Sequence, residues 1–276
     1  MKNGVFSGWT AKISLSIFIV IILASIFAQW LTPHDPNKTN IERRLENPSL
    51  EYKLGTDQMG RDLLTRILHG GRTSIGLAIM ASVLSMIVGL IIGLISGYYG
   101  GIIDNIFLFI TNIMQGLPSL AFMIALVSVM DQGIKSIVIV LVITSWCNFS
   151  RIVRGEVLKI SKEDFVEGIR SLGAGNMYII LCHILPNLIG TIIVIFTARV
   201  SRSVLTIASL SFLGFGLQPP TPDWGVMVRD ALNYFRSYPM LIIAPGSAVF
   251  LTSLSINMIG DTLRDFFDVR LSNGRL

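Results

Sequence analysis

Two arginines in the middle of an apolar stretch are the residues of this sequence best suited to binding a charged group. Arg199 and Arg202 lie within Ile184–Phe212, about twenty ångströms along a helix from Pro186. A charge at membrane depth costs roughly 2.5–3.5 kcal/mol on insertion scales, so it needs water or a partner. The functional interpretation is that one or both face an aqueous path and bind an anion, such as a peptide carboxylate or a chelator. The alternative is contact with backbone carbonyls of other helices, or an ion pair with a partner chain.

Two side-chain amides form a second polar pair in a different apolar stretch. Asn112 and Gln115 lie one helical turn apart and close to Pro118. Amide groups can line a path for a polar solute, and they can equally hydrogen-bond between helices. Both interpretations follow from the residue types.

The sequence has no arrangement typical of a catalytic, metal or nucleotide site. Cys147 and Cys182 are far apart without C-x-x-C spacing, and the three histidines are scattered. The phosphate-binding pattern G-x-x-x-x-G-K-[ST] does not occur. Arginine is a poor acid or base, so the polar residues at membrane depth do not suit an intramembrane enzyme. These features predict a non-catalytic protein without a cofactor or metal site, and nothing in them points to nucleic acid.

The elements that position these residues are membrane helices. Apolar residues make up 52% of the 276-residue chain and charged residues only 14%, whereas soluble domains are about one quarter charged. A helix needs about 20 apolar residues to cross a bilayer. Six stretches, of which the fourth is short, approach or exceed this length and predict an all-α, polytopic membrane protein: Ile13–Leu31, Ser74–Tyr98, Asn105–Met130, Ile134–Phe149, Ile184–Phe212 and Leu241–Ile259.

Local sequence features refine these spans. Gln115, Gly116 and Pro118 predict a kink in the third span. Glycines recur through the second span and predict close helix packing. Lys2 and Lys12 precede the first span, which favours a cytoplasmic N-terminus, and six spans then place the C-terminus on the same side.

The longest polar loop, Thr32–Thr73, is predicted to contain a short helix over Gln58–His69. Asp57 is a suitable N-cap for that helix and Gly70 a suitable end. A later proline-rich stretch, Gly214–Pro239, predicts a stiff external loop. This loop could cover the path or contact an external protein, and Trp224 could equally be an anchor at the membrane interface.

A short amphipathic helix is predicted between the fourth and fifth spans, over about Lys162–Leu172. Ser161 and Asp164 form a capping-box pattern, and Gly173 can end the helix in a left-handed turn. The apolar face is predicted to consist of Phe165, Ile169 and Leu172. A helix lying on the bilayer surface is the simplest interpretation of this pattern alone.

This helix carries a family resemblance. The run Glu167-Gly-Ile-Arg-Ser-Leu-Gly173, followed after nine residues by His183-Ile-Leu-Pro186, resembles the EAA loop of ABC importer permeases. Gly168 and Ile169 stand where that pattern has two alanines, and Gly168 costs about 1 kcal/mol of helix propensity. The resemblance implies a coupling helix that docks on an ATPase subunit. The residues it assigns to that contact are Asp164, Glu167, Gly168, Leu172, Gly173, Leu185 and Pro186.

Three further segments are similar to the C-type permease of dipeptide, oligopeptide and nickel importers, at residues 54–62, 210–225 and 260–265. The opening segment, residues 29–36, resembles the nickel branch. The resemblance implies six helices of the type I importer permease fold, with both termini in the cytoplasm. It divides the chain into an N-terminal helix and external loop (1–72), a permease domain (73–265) and a cytoplasmic tail (266–276).

The resemblance also implies partners: a second homologous permease, two ABC ATPase subunits, an extracellular solute-binding protein and the lipid bilayer of the cytoplasmic membrane. The expected solute is chelated nickel or a di- or oligopeptide. A secondary transporter or a channel remains the alternative from hydropathy, although neither an internal repeat nor a selectivity segment is evident.

Overall fold

The chain folds into a bundle of long helices, which a computed structural model describes over residues 8–131 and 133–273. In chain order the elements are α1 (Trp9–Ile26), α2 (Ala28–Leu31), a 3₁₀ turn (Ile41–Arg43), α3 (Leu63–Tyr99), α4 (Gly101–Gly116), α5 (Ser119–Val129), α6 (Ile134–Ile160), α7 (Asp164–Ser171), α8 (Asn176–Tyr178), a π-helical segment (Ile179–Ile184), α9 (Leu185–Phe212), α10 (Trp224–Asp230) and α11 (Met240–Asn273). The described residues contain no β-strand beyond one isolated bridge between Thr56 and Asp62. The all-α prediction is confirmed.

Five helices in the described part of the chain are long and apolar enough to cross a membrane, and a sixth span results if α4 and α5 count as one. These two helices meet at an angle of 92°. The break falls at Leu117 and Pro118, so the kink predicted for the third span is present.

Helix α6 extends well beyond its predicted end. The fourth span was expected to end at Phe149, but α6 continues to Ile160. Its added turns carry Arg151 and Arg154, whose guanidinium groups hydrogen-bond to side chains of α4. These partners allow charged residues to continue a helix whose apolar sequence has ended.

A stripe of glycines brings α3 and α6 into close contact. A Cβ added at Gly93 would lie 2.7 Å from the carbonyl oxygen of Ser150, and one at Gly97 would lie 2.8 Å from the Cβ of Val157. Such distances leave no space for a side chain larger than hydrogen. The close packing predicted from the glycines of the second span is therefore confirmed.

The two ends of α3 define two ends of the bundle. We call the first the loop end; it comprises residues 32–62, the first turns of α3, and α10. There the Nε1–H of Trp224 donates to the carbonyl of Ile67 at 2.9 Å. We call the second the coupling end; it comprises α7, α8, the π-helical segment and the last turn of α3. There the hydroxyl of Tyr98 donates to Asn176 Oδ1 at 2.9 Å.

The helix predicted over Gln58–His69 is wrong at both ends. Gly60 adopts a φ of +71°, which turns the chain and delays the start of α3. Asp62, not Asp57, caps the helix by accepting from the backbone N–H of Thr65 at 2.9 Å. Gly70 lies inside α3, where the missing side chain leaves space for an indole ring: an added Cβ would lie 3.0 Å from Trp224 Cδ1.

The side chain of Trp224 does not lie at the membrane interface. Its side chain is buried, with 1% of the residue exposed, and it packs against the glycine pair at the start of α3. It is a core residue of the loop end and not an anchor at the membrane interface.

Candidate functional site

The short helix α7 lies at the coupling end with six of its eight residues exposed. Its N-cap is Glu163, which makes no side-chain cap, so the predicted capping by Ser161 is wrong. Ser161 remains in the α-helical region and its hydroxyl donates to Val157 O at 2.6 Å, prolonging α6. The predicted left-handed end is present: Gly173 has a φ of +86°, and the amide of Ala174 donates to Ile169 O at 3.3 Å.

The face that α7 presents to the bundle differs from the predicted one. Val166 is fully buried and Ile169 half-buried, and both pack into a core shared with α6 and the π-helical segment. Phe165 is exposed, and Leu172 retains 88% of its accessible surface. The inward residues Val166 and Ile169 are thus three positions apart. The large apolar side chains of Phe165 and Leu172 point away from the helix bundle.

The coupling residues implied by the resemblance divide between this outward surface and the start of α9. Asp164, Glu167 and Gly168 are exposed on α7. Leu185 is half-buried, and Pro186 follows it in the first turn of α9. Pro186 has no backbone N–H to donate in this turn. The side-chain Nδ2 of the next residue, Asn187, donates to the carbonyl of His183 at 2.6 Å. The two helices are joined by the π-helical segment, whose isoleucines are buried.

A large cavity opens beside this joint. Its volume is about 1140 Å³, and it lies between α6, α9 and the C-terminal part of α11. Its charged and amide-bearing lining residues are Gln115, Asn148, Arg151, Glu156, Asn187, Arg199, Arg202 and Arg264. Among the described lining residues, four arginines face a single acidic side chain, so the wall carries a positive charge.

Both arginines predicted from the apolar stretch line this cavity. Arg199 is half-buried and Arg202 exposed, near the middle of the 28-residue α9. Within the part of the chain that the structure describes, neither guanidinium donates a hydrogen bond or pairs with a carboxylate. Their contact with backbone carbonyls, which the sequence left open, is not observed there.

The predicted amide pair, Asn112 and Gln115, accepts hydrogen bonds from an arginine that the sequence analysis did not select. Arg151 donates to Gln115 Oε1 and to Asn112 Oδ1. Gln115 Nε2 also donates to Asn148 Oδ1 at 3.2 Å. Gln115 lines the cavity, whereas Asn112 lies outside it and holds Arg151.

Arg151 escaped notice because the fourth span was expected to end before it. The useful signal was the spacing of Arg151 and Arg154, which places both on one face of a continuing helix. Arg264 lies beyond Ile259, where the sixth span is predicted to end, and α11 continues through it and carries it to the cavity.

Comparison with known families decides between the remaining interpretations. Residues 89–273 match the model for the binding-protein-dependent transport system inner membrane component. The chain belongs to this family. Residues 8–48 match the N-terminal transmembrane domain of oligopeptide transport permease C.

Relatives of this permease agree with that membership. It is 39% identical over 254 residues to the glutathione transport system permease protein GsiD of Escherichia coli O6:K15:H31 (strain 536 / UPEC), covering 92% of this chain and 84% of the relative. The GsiD protein of Shigella boydii serotype 4 (strain Sb227) matches with the same identity and coverage. An inward-facing structure of the MetNI methionine ABC transporter shares the fold, with a TM-score of 0.60 at 18% identity, over 72% of this chain and 95% of the other.

Family membership establishes the general role of the chain. It is a non-catalytic, membrane-spanning permease subunit of an ABC importer, and such importers work with ATPase subunits and a solute-binding protein. The secondary-transporter and channel interpretations are thereby excluded.

Proposed function

We propose that this permease carries a carboxylate-bearing solute of the short-peptide class along its arginine-lined cavity, driven by ATPases that dock on α7. The observation that carries the proposal is the excess of arginine over acidic side chains in the cavity wall. A guanidinium is always charged and presents a fork of N–H donors that matches a carboxylate.

The depth of the arginines supports a role for them in the path. About 20 Å of helix separates Arg199 from the start of α9, so an uncompensated charge there would be costly. Arg199 and Arg202 have no partner within the described chain, which leaves water, solute or the second permease to solvate them. Gln115 and Asn112 are proposed to act on the opposite wall, one in the path and the other by holding Arg151.

The chemistry of the solute narrows the choice left open by the sequence. The relatives in Escherichia coli and Shigella are named as glutathione permeases, and glutathione is a short peptide whose carboxylates outnumber its amino group. A peptide of this kind suits a cavity with several arginines. Chelated nickel, favoured by the opening segment of the sequence, would enter the same cavity through the carboxylates of its chelator.

The experiment for the solute compares uptake by cells that lack or carry the gene. Labelled glutathione, a labelled neutral dipeptide and labelled nickel are each supplied at matched concentration. The proposal predicts that gene-dependent uptake is greatest for glutathione. Gene-dependent uptake of nickel alone would assign the cavity to a metal chelate, and preference for the neutral dipeptide would remove the role of the arginines.

The outward surface of α7 supports its proposed role as the coupling helix. Glu167 and Asp164 supply charge, Leu172 supplies apolar area, and Gly168 permits close approach of a partner. Gly173 ends α7 in a left-handed turn. Leu185 and Pro186 begin α9, the span through which motion of α7 would reach the cavity. ATP is hydrolysed on other subunits, so force must cross a protein surface of this kind.

We propose an assembly of this chain, a second homologous permease, two ATPases and an extracellular solute-binding protein. In it the coupling end and both termini face the cytoplasm, and the loop end faces outward. Residues 1–72, 73–265 and 266–276 then form the anchor with its external loop, the permease domain and the cytoplasmic tail. Gly71 packing on Ser25 places α1 against α3, the helix that continues into the permease domain.

Cysteine labelling tests this orientation. Cys147 and Cys182 are first replaced by serine, and a single cysteine is then placed at Thr39 or Lys162, both exposed. An impermeant reagent added to intact cells is expected to label the cysteine at position 39 and not that at 162. Labelling of both from outside would refute the topology.

A further inference from the structure

An ion pair joins three helices at the coupling end. The carboxylate of Asp104 in α4 accepts from both Nε and Nη2 of Arg154 in α6. The hydroxyl of Ser96 in α3 donates to the same carboxylate at 2.6 Å. Both charged side chains are largely buried, with 15% and 21% of their surface accessible, so water competes weakly for these bonds.

A second polar contact lies about one helical turn earlier in α6. Arg151 donates to Asn112 and Gln115 of α4. Because α4 and α6 run in opposite directions, the contacts fasten the two helices at two levels. We call these five residues, Asp104, Asn112, Gln115, Arg151 and Arg154, the clasp.

The clasp matters because α4, which follows α3 directly at Gly100, buries few of its own residues. Of its 16 residues, only Phe107 and Thr111 are buried, and its isoleucines point outward. At its far end the chain breaks at Pro118 and turns by 92° into α5. A helix attached in this way follows the helix that holds its polar groups.

We propose that the clasp makes α4 move as one body with α6, so that displacement of α7 repositions Gln115 in the cavity wall. Helix α6 ends at Ile160, and the hydroxyl of Ser161 still donates to Val157 O. Only residues 161–163 therefore join α6 to α7. The clasp residues Asp104 and Arg154 are therefore positioning residues for transport and touch no solute. This inference rests on the proposed docking of ATPases on α7.

The test uses the complete transporter reconstituted in vesicles, with Asp104→Arg, Arg154→Asp, their combination, and Asp104→Asn. The readout is the amount of labelled glutathione taken up per ATP hydrolysed. Each single reversal is expected to lower this ratio by at least about 5-fold, the lower end of typical couplings between two sites. The double reversal restores an ion pair and is expected to recover most of the loss. Glu51→Arg reverses a charge in the exposed Arg43–Glu51 pair and is the matched control.

Several results would overturn the proposal. An unchanged ratio in both single reversals shows that the clasp carries no motion. A double reversal no better than the singles shows that the pairing itself is irrelevant. Loss of Asp104→Asn from the membrane, or loss of its ATPases, assigns the clasp to folding or docking. The proposed function is tested separately by Glu167→Arg, because that variant loses ATPases whereas the clasp variants retain them.

Discussion

The loop end and the coupling end of this permease differ in the burial and hydrogen bonding of their polar residues. At the loop end, Asp57 accepts from Arg61 Nε at 2.6 Å, and Asp223 accepts from the backbone N–H of Val226 at 3.0 Å. These side chains are buried and bonded within the chain. At the coupling end, Glu167 is exposed and bonds to no described side chain. These polar residues of the loop end bond within the chain, whereas Glu167 of the coupling end stays exposed to the subunits that are proposed to bind there.

The difference has an energetic cause. A buried charge without a partner costs several kcal/mol, and the buried carboxylates of Asp57 and Asp223 at the loop end each accept hydrogen bonds within the chain. Burial raises the pKa of Asp223, and the hydrogen bonds from Val226 and Ser74 oppose that rise. An exposed charge remains solvated at little cost, and a partner that binds it must offset the loss of its hydration. We therefore expect substitutions at the loop end to affect stability and those at the coupling end to affect assembly and transport.

The largest expected effect is loss of stability at the loop end. Trp224→Ala removes a fully buried indole and its hydrogen bond to Ile67, and truncation of a buried tryptophan costs about 3–5 kcal/mol. The purified variant should unfold at a clearly lower temperature and accumulate less in the membrane. Trp30→Ala, at a side chain that is 79% exposed, is the control and should change stability by less than about 0.5 kcal/mol. Equal effects of the two substitutions would remove the contrast between buried and exposed parts of the chain.

The second effect concerns binding and not folding. Glu167→Arg reverses a charge on the outward surface of α7, and loss of a charged contact at a desolvated interface costs about 2–5 kcal/mol. The ATPases should be lost on purification, while the permease remains in the membrane at its normal level. Glu42→Arg makes the same change on an exposed residue of the loop end and should leave the ATPases bound. Normal ATPase retention and uptake in Glu167→Arg would show that α7 is a surface helix without a partner.

A smaller effect is expected within the cavity. Arg199→Gln and Arg202→Gln keep hydrogen-bonding capacity and remove charge. Uptake of an anionic solute should fall by about 10-fold, which corresponds to roughly 1.5 kcal/mol for a hydrogen bond to a charged group. Uptake by membranes of matched permease content is the measurement. If the variants instead disappear from the membrane or lose the second permease, the arginines serve assembly and not the solute.

The smallest effect is expected at an exposed ion pair of the loop end. The hydrogen bond from Arg43 lowers the pKa of Glu51, so the pair is present above the ordinary pKa of glutamate and is lost as the pH falls through the lowered value. Arg43→Gln removes the partner, but both side chains are solvated, so the melting temperature at neutral pH should stay unchanged within error. A clear decrease would show that exposed pairs also stabilise this end.

Sequence reasoning succeeded where one local property decides the structure. Hydropathy located the spans, and glycine conformation identified the end of α7 at Gly173. It failed where two distant segments meet. Gly70 has the local properties of a helix end, yet Trp224, far along the chain, packs against it inside α3. Ser161 has the properties of an N-cap, yet the helix before it continues through it.

The sequence by itself determined that the chain spans a membrane in about six helices, that it carries a segment resembling the EAA loop, and that two arginines lie deep in one span. These properties depend on residue type and short spacing. Only the tertiary structure decided that Arg151 and Arg264 join Arg199 and Arg202 around one cavity, and that Asp104 binds Arg154 across fifty residues of sequence. Such pairings depend on how helices pack, because interhelical distances are set by side chains on both helices and not by either sequence alone.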